Sequence, residues 1–198
     1  QRYHLPVQIA NDSQAAALAE YLFGGCYSEP NLLAVHVRRG IGCGVVLEGR
    51  LYQGDSFSAG EIGHVRSVEN GALCRCGNHG CLETVASAGA LLLAAHSLCL
   101  SRPDLYNASL LSHSGSSPNA LTLQHLAQAF SSGDPLARQI VLPAAAHLGR
   151  ILAHLVSALN IHQVVFTGEI NAFGEEFLHA VHQAAAQRIF PAAARQLK

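Results

Sequence analysis

The sequence predicts an α/β fold, and three observations support this prediction. Short segments with the alternation and β-branched content of strands are interleaved with segments of helical periodicity. A glycine-rich stretch at residues 40–44 follows the first clear strand. Of the 198 residues, 49% are hydrophobic and only 13% are charged, which is typical of a globular chain with a sizeable core. The length suits one generous domain or two small lobes, and no internal repeat is present.

Four elements are predicted before the cysteine-rich stretch. They are an extended segment at 5–10, a helix from about 12 to 24, a strand at 32–39, and a hairpin with strands at 45–47 and 50–52. Asn11, Asp12 and Ser13 precede an alanine-rich run and therefore indicate a helix N-terminus. Residues 40–44 are expected to form a tight turn, because three of the five are glycine.

The rest of the chain is predicted to be mostly helical. The expected elements are a loop and metal module at 54–82, an apolar helix from 83 to about 100, an exposed loop at 101–120, a short helix at 122–130, a long helix from 134 to about 159, a buried strand at 163–166 and an amphipathic helix at 173–189. Pro135 suits the first turn of the long helix, whereas Pro143 is expected to bend it. Gly168 is expected to end the strand.

Composition excludes several classes of function for this stretch of chain. The formal net charge is −1, from 12 basic and 13 acidic residues, so a phosphate-neutralising DNA face is not expected in it. We find no signal peptide and no run of about 20 apolar residues, so no membrane is expected as a partner. Clustered cysteines suit a reducing cytoplasm. Because the sequence starts at Gln1 and contains no Met, we expect it to be a segment of a longer protein.

A cluster of cysteines indicates a metal site. Cys74, Cys76 and Cys81 lie within eight positions of a glycine-rich loop, and His64 precedes them by ten residues. Three thiolates and an imidazole form a common tetrahedral zinc set, so these four residues are the predicted ligands of a structural Zn²⁺. Two alternatives are free buried thiols and a disulfide. A zinc hydrolase is disfavoured, because four protein ligands leave no position for a nucleophilic water.

Four motifs in order resemble the ROK family of repressors, open reading frames and sugar kinases. They are Asn11-Asp12-x-x-Ala-Ala-Ala-Leu-x-Glu, Gly40-Ile-Gly-Cys-Gly44, Ala59-Gly-Glu61-Ile-Gly-His64, and Cys74-x-Cys76-Gly-x-x-Gly-Cys81-x-Glu83. The resemblance runs over nearly the whole chain. It implies an actin-like, ribonuclease-H-like lobe of the hexokinase type, with the zinc-binding loop inserted. It also implies that this chain is the C-terminal part of a sugar-binding domain, with residues 61–83 as its zinc module.

The resemblance also implies roles for five residues at a sugar site. Asn11 and Asp12 would bond sugar hydroxyls, and Asp12 would be the general base in a kinase. Glu61, His64 and Glu83 would hold the opposite edge of the sugar, with the second nitrogen of His64 on zinc. Carboxylates and amides are suitable partners for several hydroxyls. The alternatives are a helix cap for Asp12, a solvated acid for Glu61 and a first-turn acid for Glu83.

Two departures from the kinase pattern favour a repressor. Kinases of this family usually carry Gly-Thr before the glycine turn, where this chain has Arg38 and Arg39. They usually carry several glycines after the last strand, where this chain has Glu169 after Gly168. Long cationic side chains and a carboxylate at these positions would hinder the binding of ATP. The Gly-Glu-Ile variant is similar to the N-acetylglucosamine repressor branch of the family.

The expected protein is therefore a transcriptional regulator that responds to a hexose, an amino sugar or a 6-phosphate. This segment would bind effector and oligomerise as a homodimer or homotetramer, with the long helix at 135–159 as an interface or as core. A helix-turn-helix domain and the first lobe would lie outside it, and the former would bind operator DNA. Arg38 and Arg39 could receive a sugar phosphate, or they could be a solvated strand end. Gly40, Gly42 and Gly44 would be the remnant of a phosphate loop. The alternative is an ATP- and Mg²⁺-dependent hexose kinase.

Overall fold

The computed structural model describes residues 10–26, 29–113 and 117–198. Within these ranges a four-stranded mixed sheet lies between one helix and a layer of several helices. The extended segment predicted at 5–10 falls almost wholly outside the described residues. The α/β prediction is confirmed.

Helices dominate the second half of the described chain, and three of the four strands lie in the first quarter. In chain order the elements are α1 (Asp12–Phe23), β1 (Leu32–Val37), β2 (Ile41–Leu47), β3 (Arg50–Tyr52), a 3-10 helix (Ile62–His64), α2 (Glu83–Ala86), α3 (Ala88–Ser101), α4 (Pro103–Ala108), α5 (Leu110–His113), a 3-10 helix (Pro118–Ala120), α6 (Leu123–Ser131), α7 (Pro135–Leu159), β4 (Val164–Gly168), a 3-10 helix (Glu169–Phe173), α8 (Gly174–Ala186) and α9 (Pro191–Ala194).

The sheet has the strand order β3-β2-β1-β4. β1 and β2 are antiparallel, with Val37 opposite Ile41. β1 and β4 are parallel, with Val37 opposite Gly168. Because the carboxyl ends of parallel strands meet at one edge, the residues that follow β1 and β4 lie side by side there.

The alternation of side chains along β1 divides the core between the two faces of the sheet. Leu32 and Ala34 point toward α1 and pack there with Ala17 and Tyr21. Leu33, Val35 and Val37 point the other way, into a larger core built with α3, α6, α7 and α8. The sheet is therefore covered on both faces, which fixes its register.

Close packing of α1 on β2 explains the glycines that the sequence analysis assigned to a turn. The prediction of a tight turn at 40–44 is wrong, since β2 starts at Ile41 and the turn is confined to residues 38–40. A Cβ on Gly44 would overlap the Cβ of Ala17, and one on Gly42 would lie 2.5 Å from the Ser13 hydroxyl oxygen. Glycine is needed at both positions because the helix lies directly against the strand.

Three other predictions also need correction. The helix expected from Glu83 to about 100 is divided at Ser87, which is extended and caps α3 through the N–H of Ala90. The loop expected at 101–120 contains α4 and α5, while residues 114–116 lie outside the described ranges. β4 is half-buried rather than buried, because only β1 pairs with it among the described strands.

The long helix α7 is the central core helix. Asp134 caps it and Pro135 occupies its first turn, as predicted, and it continues through Pro143. Its length and apolar composition would allow a membrane span, but 56% of its most apolar window is buried inside the fold. Packing against α8, and also against α2, α3 and α6, therefore accounts for its hydrophobicity.

Candidate functional site

A small polar cavity lies at the carboxyl edge of β1, where α1 begins. Its volume is about 120 Å³. Its walls carry two carboxylates, Asp12 and Glu61, and two guanidinium groups, Arg38 and Arg75. The other residues that line it are Asn11, Ser13, His36, Gly40, Ile41 and Gly42. The cavity is therefore rich in hydrogen-bonding groups of both signs, as a ligand with many hydroxyls requires.

Asn11 joins the start of α1 to the loop that carries Glu61. It is the N-cap residue, and its Oδ1 accepts from the backbone N–H groups of Ser13 at 3.0 Å and Gln14 at 3.3 Å. Its Nδ2 donates to Oε1 of Glu61 at 3.0 Å. The two ends of one amide thus fix the helix and a site carboxylate together.

Asp12 lies on the cavity wall as the first residue of α1. One carboxylate oxygen accepts from the Ser13 N–H at 2.9 Å. The side chain is exposed. The sequence left a helix cap open as an alternative role for Asp12, but Asn11 fills the N-cap position.

His64 stands between the cavity and the cysteines. Its Nε2 lies 3.9 Å from Oε2 of Glu61, and its Nδ1 lies 3.5 Å from Sγ of Cys74. The two ring nitrogens therefore face two different groups, which is the arrangement expected of a histidine shared between a metal and a ligand site.

Glu83 takes a position that the sequence did not predict. It is buried at the start of α2. Oε1 receives Nε of Arg75 at 2.7 Å, and Oε2 receives the Arg75 Nη2 at 3.1 Å and the Ile41 N–H at 3.3 Å. Arg75 lines the cavity, whereas Glu83 is not among the described residues that line it. Glu83 therefore lies on the far side of Arg75 from the cavity.

The turn between β1 and β2 brings only one of its two arginines to the cavity. Arg38 and Arg39 are both exposed, but among the described residues only the former lies on the cavity wall. His36 of β1 lines the same wall, and its Nδ1 lies 2.7 Å from Oγ1 of Thr167 on β4. β1 therefore contributes His36 to the cavity wall, and β4 supports that side chain through Thr167.

The four predicted metal ligands converge. The side-chain donor atoms of His64, Cys74, Cys76 and Cys81 all lie within 4.8 Å of one another. Nδ1 of His64 is 3.5 Å from Sγ of Cys74, and the Cys76 and Cys81 sulfurs are 3.7 Å apart. Ligands on tetrahedral zinc with Zn–S bonds of about 2.3 Å are separated by about 3.8 Å, so the donors fit the ion. At 3.7 Å these two sulfurs do not form a disulfide.

The surroundings shift the pKa values of two of the cysteine thiols in opposite directions. A backbone hydrogen bond from Asn78 is the main cause that lowers the pKa of Cys76. Burial, and then the neighbouring thiols, raise the pKa of Cys81 to about 12. Three adjacent thiolates would repel one another strongly, so all three would ionise together only with a divalent cation bound among them.

Local backbone contacts shape the cysteine loop. The Cys74 N–H donates to the Asn78 carbonyl at 2.8 Å, and the Gly77 N–H donates to the Cys74 carbonyl at 2.9 Å. Gly77 has a φ of 92°, in the left-handed region where glycine carries no penalty. The loop is thus a tight turn that brings its thiols together, with Cys74 buried and Cys76 exposed.

Two side chains of α7 hold this loop to the core. The hydroxyl of Ser67 lies 2.7 Å from Nδ1 of His147, and Nη1 of Arg150 donates to the Ser67 carbonyl at 3.2 Å. Burial, and then the charge of Arg150, lower the pKa of His147. The neutral imidazole is therefore favoured at this contact.

Among the polar side chains that line the cavity, sequence reasoning missed three: Ser13, His36 and Arg75. Ser13 and His36 gave no signal, because a helix-start serine and a strand histidine are common in structural roles. Arg75 did give a signal in the sequence. A long cationic side chain between two metal ligands must point away from the metal. Pairing with Glu83 could not be read from spacing alone.

Comparisons with known proteins agree with the fold and with the motifs. A sequence model of the ROK family matches residues 1–197. The DNA-binding transcriptional repressor Mlc of Escherichia coli K12 is 35% identical over 188 residues, which are 95% of this chain and 44% of that protein. The DNA-binding transcriptional dual regulator NagC of the same strain is 29% identical over 182 residues, covering 91% of this chain and 42% of that protein. The chain thus spans less than half the length of these relatives.

A solved structure of a kinase is also similar. The ROK family glucokinase from Streptomyces griseus, in complex with glucose and AMPPNP, superposes with a TM-score of 0.86 at 31% identity. The match covers 96% of this chain and 60% of that one. Regulators and kinases therefore share this architecture.

Proposed function

The chain belongs to the ROK family, and we propose that it is the effector-binding part of a transcriptional regulator that responds to a sugar or a sugar phosphate. The observation that carries this proposal is the chemistry of the carboxyl edge of β1 and β4. A nucleotide bound at this edge would meet Arg38 after β1 and Glu169 after β4.

These two residues alter the places that a kinase uses for ATP. Both are exposed, at the ends of neighbouring parallel strands. Arg38 passes close to Gly168, since a Cβ on that glycine would lie 3.1 Å from the arginine Cγ. Phosphoryl transfer needs a close-fitting backbone cradle for the nucleotide and Mg²⁺. The Arg38 side chain lies across that backbone, and the Glu169 carboxylate follows it. Both would interfere with a bound nucleotide, which supports the proposal that this protein binds an effector and does not catalyse phosphoryl transfer.

The proposed sugar site is the polar cavity at the start of α1. Asn11, Asp12 and Glu61 line the cavity, and His64 approaches it through Nε2. Together these residues offer carboxylate, amide and imidazole groups to a hexose, an amino sugar or its 6-phosphate. Glu83 contributes to this proposed site through Arg75, to which it is paired. Gly40 and Gly42 line the cavity and belong to the proposal as the remnant of a phosphate loop, whereas Gly44 lies in β2 against Ala17 and has no part in it.

His64, Cys74, Cys76 and Cys81 would hold a structural Zn²⁺, which when bound neutralises the thiolates and fixes the loop. With Nδ1 of His64 on the ion, Nε2 keeps its proton and can donate toward Glu61 or a sugar oxygen. The protein residues therefore orient a donor at the cleft edge, and no reaction passes through the metal.

The remaining parts of the proposal concern the whole protein. The names of the two DNA-binding relatives support DNA as a partner. We propose that this partner is operator DNA, bound by a helix-turn-helix domain outside this chain. The described chain is the C-terminal part of the sugar-binding domain, with residues 61–83 as its metal module. We also propose that the full-length protein is a homodimer or homotetramer in the cytoplasm. Sugar binding would shift the balance between DNA-competent and DNA-free conformations.

Calorimetric titration of the full-length protein tests this function. The ligands are glucose, N-acetylglucosamine, their 6-phosphates, and AMPPNP with Mg²⁺. We expect binding of one sugar or sugar phosphate and no binding of the nucleotide. Strong Mg²⁺-dependent nucleotide binding would contradict the proposal.

Arginine variants test whether the effector carries a phosphate. Arg38→Ala should weaken binding of a sugar 6-phosphate far more than binding of the free sugar, because its guanidinium lies on the cavity wall. Arg39→Ala, at the neighbouring position, serves as the matched control. Equal losses for both ligands in Arg38→Ala would exclude a phosphate contact.

An ATP-dependent hexose kinase is the alternative, and one observation favours it. Asp12 occupies the cavity wall at the position where the family resemblance places the general base. The similarity to the glucose-bound glucokinase adds support. ADP release by the full-length protein with glucose, ATP and Mg²⁺, abolished by Asp12→Asn, would establish this alternative.

A further inference from the structure

Arg75 occupies an unusual position between the metal loop and the cavity. Its chain neighbours, Cys74 and Cys76, are two of the four metal-binding candidates. Its own side chain extends to the other side, away from the cluster, and lines the cavity. One residue therefore has its backbone fixed by the metal site and its guanidinium placed at the ligand site.

The Arg75 guanidinium donates two parallel hydrogen bonds to the Glu83 carboxylate. Nε lies 2.7 Å from Oε1, and Nη2 lies 3.1 Å from Oε2. This bidentate geometry fixes the plane of both groups. The carboxylate is only 10% exposed, whereas the arginine side chain is 71% exposed. A buried carboxylate needs such a partner, and in this protein the partner comes from the metal loop.

Gly40 provides the surface on which this pair lies. A Cβ at Gly40 would be 2.8 Å from Oε2 of Glu83 and 3.0 Å from Nη2 of Arg75. The Ile41 N–H donates to the same Oε2 at 3.3 Å. The pair thus packs on the first residues of β2 and closes one wall of the cavity.

We propose that Arg75 is a positioning residue that couples the metal to the sugar cleft through Glu83. With Cys74 and Cys76 both held on the metal, the backbone between them has little freedom and the guanidinium stays on Glu83. Without the metal, the backbone between Cys74 and Cys76 is no longer held, and the guanidinium, which is 71% exposed, exchanges the carboxylate for water. The cavity then loses a wall and Glu83 loses its orientation. The expected effect on sugar binding rests on the proposed function.

Nuclear magnetic resonance tests the coupling without any sugar. The Arg75 Nε–H of the full-length, zinc-loaded protein should give a resolved signal protected from exchange with water, assigned by its loss in Arg75→Lys. The signal should collapse when a chelator removes the zinc, and also in Glu83→Gln. A protected signal that persists unchanged in the metal-free protein would overturn the proposal.

Calorimetry then tests the effect on the ligand. Titrations with glucose and N-acetylglucosamine 6-phosphate compare the wild type with Arg75→Met. Arg102→Met is the matched control, because that arginine forms an exposed pair with Asp104 at the start of α4. Arg75→Met should bind sugar at least about five-fold more weakly, as expected for the loss of a bidentate contact. Its zinc content should be unchanged, and chelation should weaken the wild type much more than the variant.

Each other outcome has a defined meaning. Equal affinities for Arg75→Met and the wild type would overturn the coupling to the sugar. Tighter binding by the variant would also overturn it, since Arg75 would then compete with the ligand for Glu83. If the wild type binds none of the sugars, the proposed function fails, and the nuclear magnetic resonance experiment still decides whether the metal holds Arg75 on Glu83.

Discussion

At the scale of single residues, Asn11 shows how one side chain can serve both stability and a site. Its carbonyl oxygen caps α1, while its amide nitrogen holds Glu61 at 3.0 Å. The two contacts use opposite ends of the same group. Substitutions that keep one end and remove the other therefore separate the two roles.

Asn11→Ser should keep the cap and lose the bond to Glu61, because serine is nearly as good an N-cap as asparagine. We expect its free energy of unfolding to fall by less than about 0.5 kcal/mol, while sugar affinity falls. Asn11→Ala should lose both contacts and about 1 kcal/mol of stability. Urea unfolding and sugar titration of both variants check this. A similar loss of stability in the serine and alanine variants would show that the cap is unimportant.

His147 should make the attachment of the metal loop depend on pH. Burial and Arg150 lower its pKa below the ordinary value of 6.5, so the folded state favours the neutral ring. Stability from this site is then complete above pH 6.5 and declines as pH falls through the lowered pKa. Unfolding of the wild type and of His147→Gln, measured from about pH 7.5 to about pH 5, isolates the effect. The wild type should lose more stability on acidification, and parallel pH curves would contradict this assignment.

At the scale of elements, the contact between α1 and β2 is limited by the glycines of the strand. A side chain at Gly44 would collide with Ala17, so the helix can lie on the sheet only if this position has no Cβ. The same contact places Asn11 and Asp12 beside the end of β1. Packing of one helix on one strand therefore sets the width of the cavity.

Two glycine-to-alanine substitutions should have opposite effects. Gly44→Ala should destabilise by about 3 kcal/mol, because the helix must move away from the strand. Gly89→Ala should stabilise by about 0.5–1 kcal/mol, since that glycine lies in α3 with its nearest neighbour 3.8 Å from an added Cβ. Chemical denaturation of both variants measures the difference. A neutral Gly44→Ala would mean that the helix does not rest on β2.

The sequence predicted most elements, and the exceptions have physical causes. α1, β1, α6 and α7 were correct because caps and hydrophobic periodicity are local signals. The first half of β2 is predicted as a turn, since glycines that allow close packing and glycines that allow tight turns look alike in sequence. The break at Ser87 and the short helices after Ser101 depend on tertiary contacts, such as the bond from the Ser109 hydroxyl to buried Asp134.

The candidate site was predictable to a similar degree. The metal ligands lie within 18 positions and follow a spacing that chemistry restricts, so their convergence could be expected from the sequence. The cavity wall could not, because it joins α1, β1, β2 and two loops that are distant in the chain. Glu83 illustrates the difference, since its partner Arg75 was visible in the sequence but their geometry was not.

At the scale of the whole molecule, the metal module should contribute to global stability. Removal of zinc by a chelator should lower the melting temperature by about 10 °C. A metal present at a thousand times its Kd stabilises the folded state by about 4 kcal/mol. In a chain of this size, each kcal/mol changes the melting temperature by about 2–4 °C. Cys81→Ser should melt like the chelated wild type and be insensitive to chelator. Cys99→Ser, which changes a buried thiol outside the cluster, should remain sensitive. An unchanged melt in chelator, with no metal in the purified protein, would contradict the metal site.

The separation in sequence between paired groups sets the order in which the parts can form. The metal donors are neighbours in the chain, whereas β1 must find β4 across more than a hundred residues, from Leu33 to Val164. A newly made or misfolded chain can therefore capture zinc in its cysteine loop before the sheet exists. Zinc content alone is consequently a poor measure of how much of a preparation has a finished cleft, and quality control of this protein should rest on a probe of the sheet.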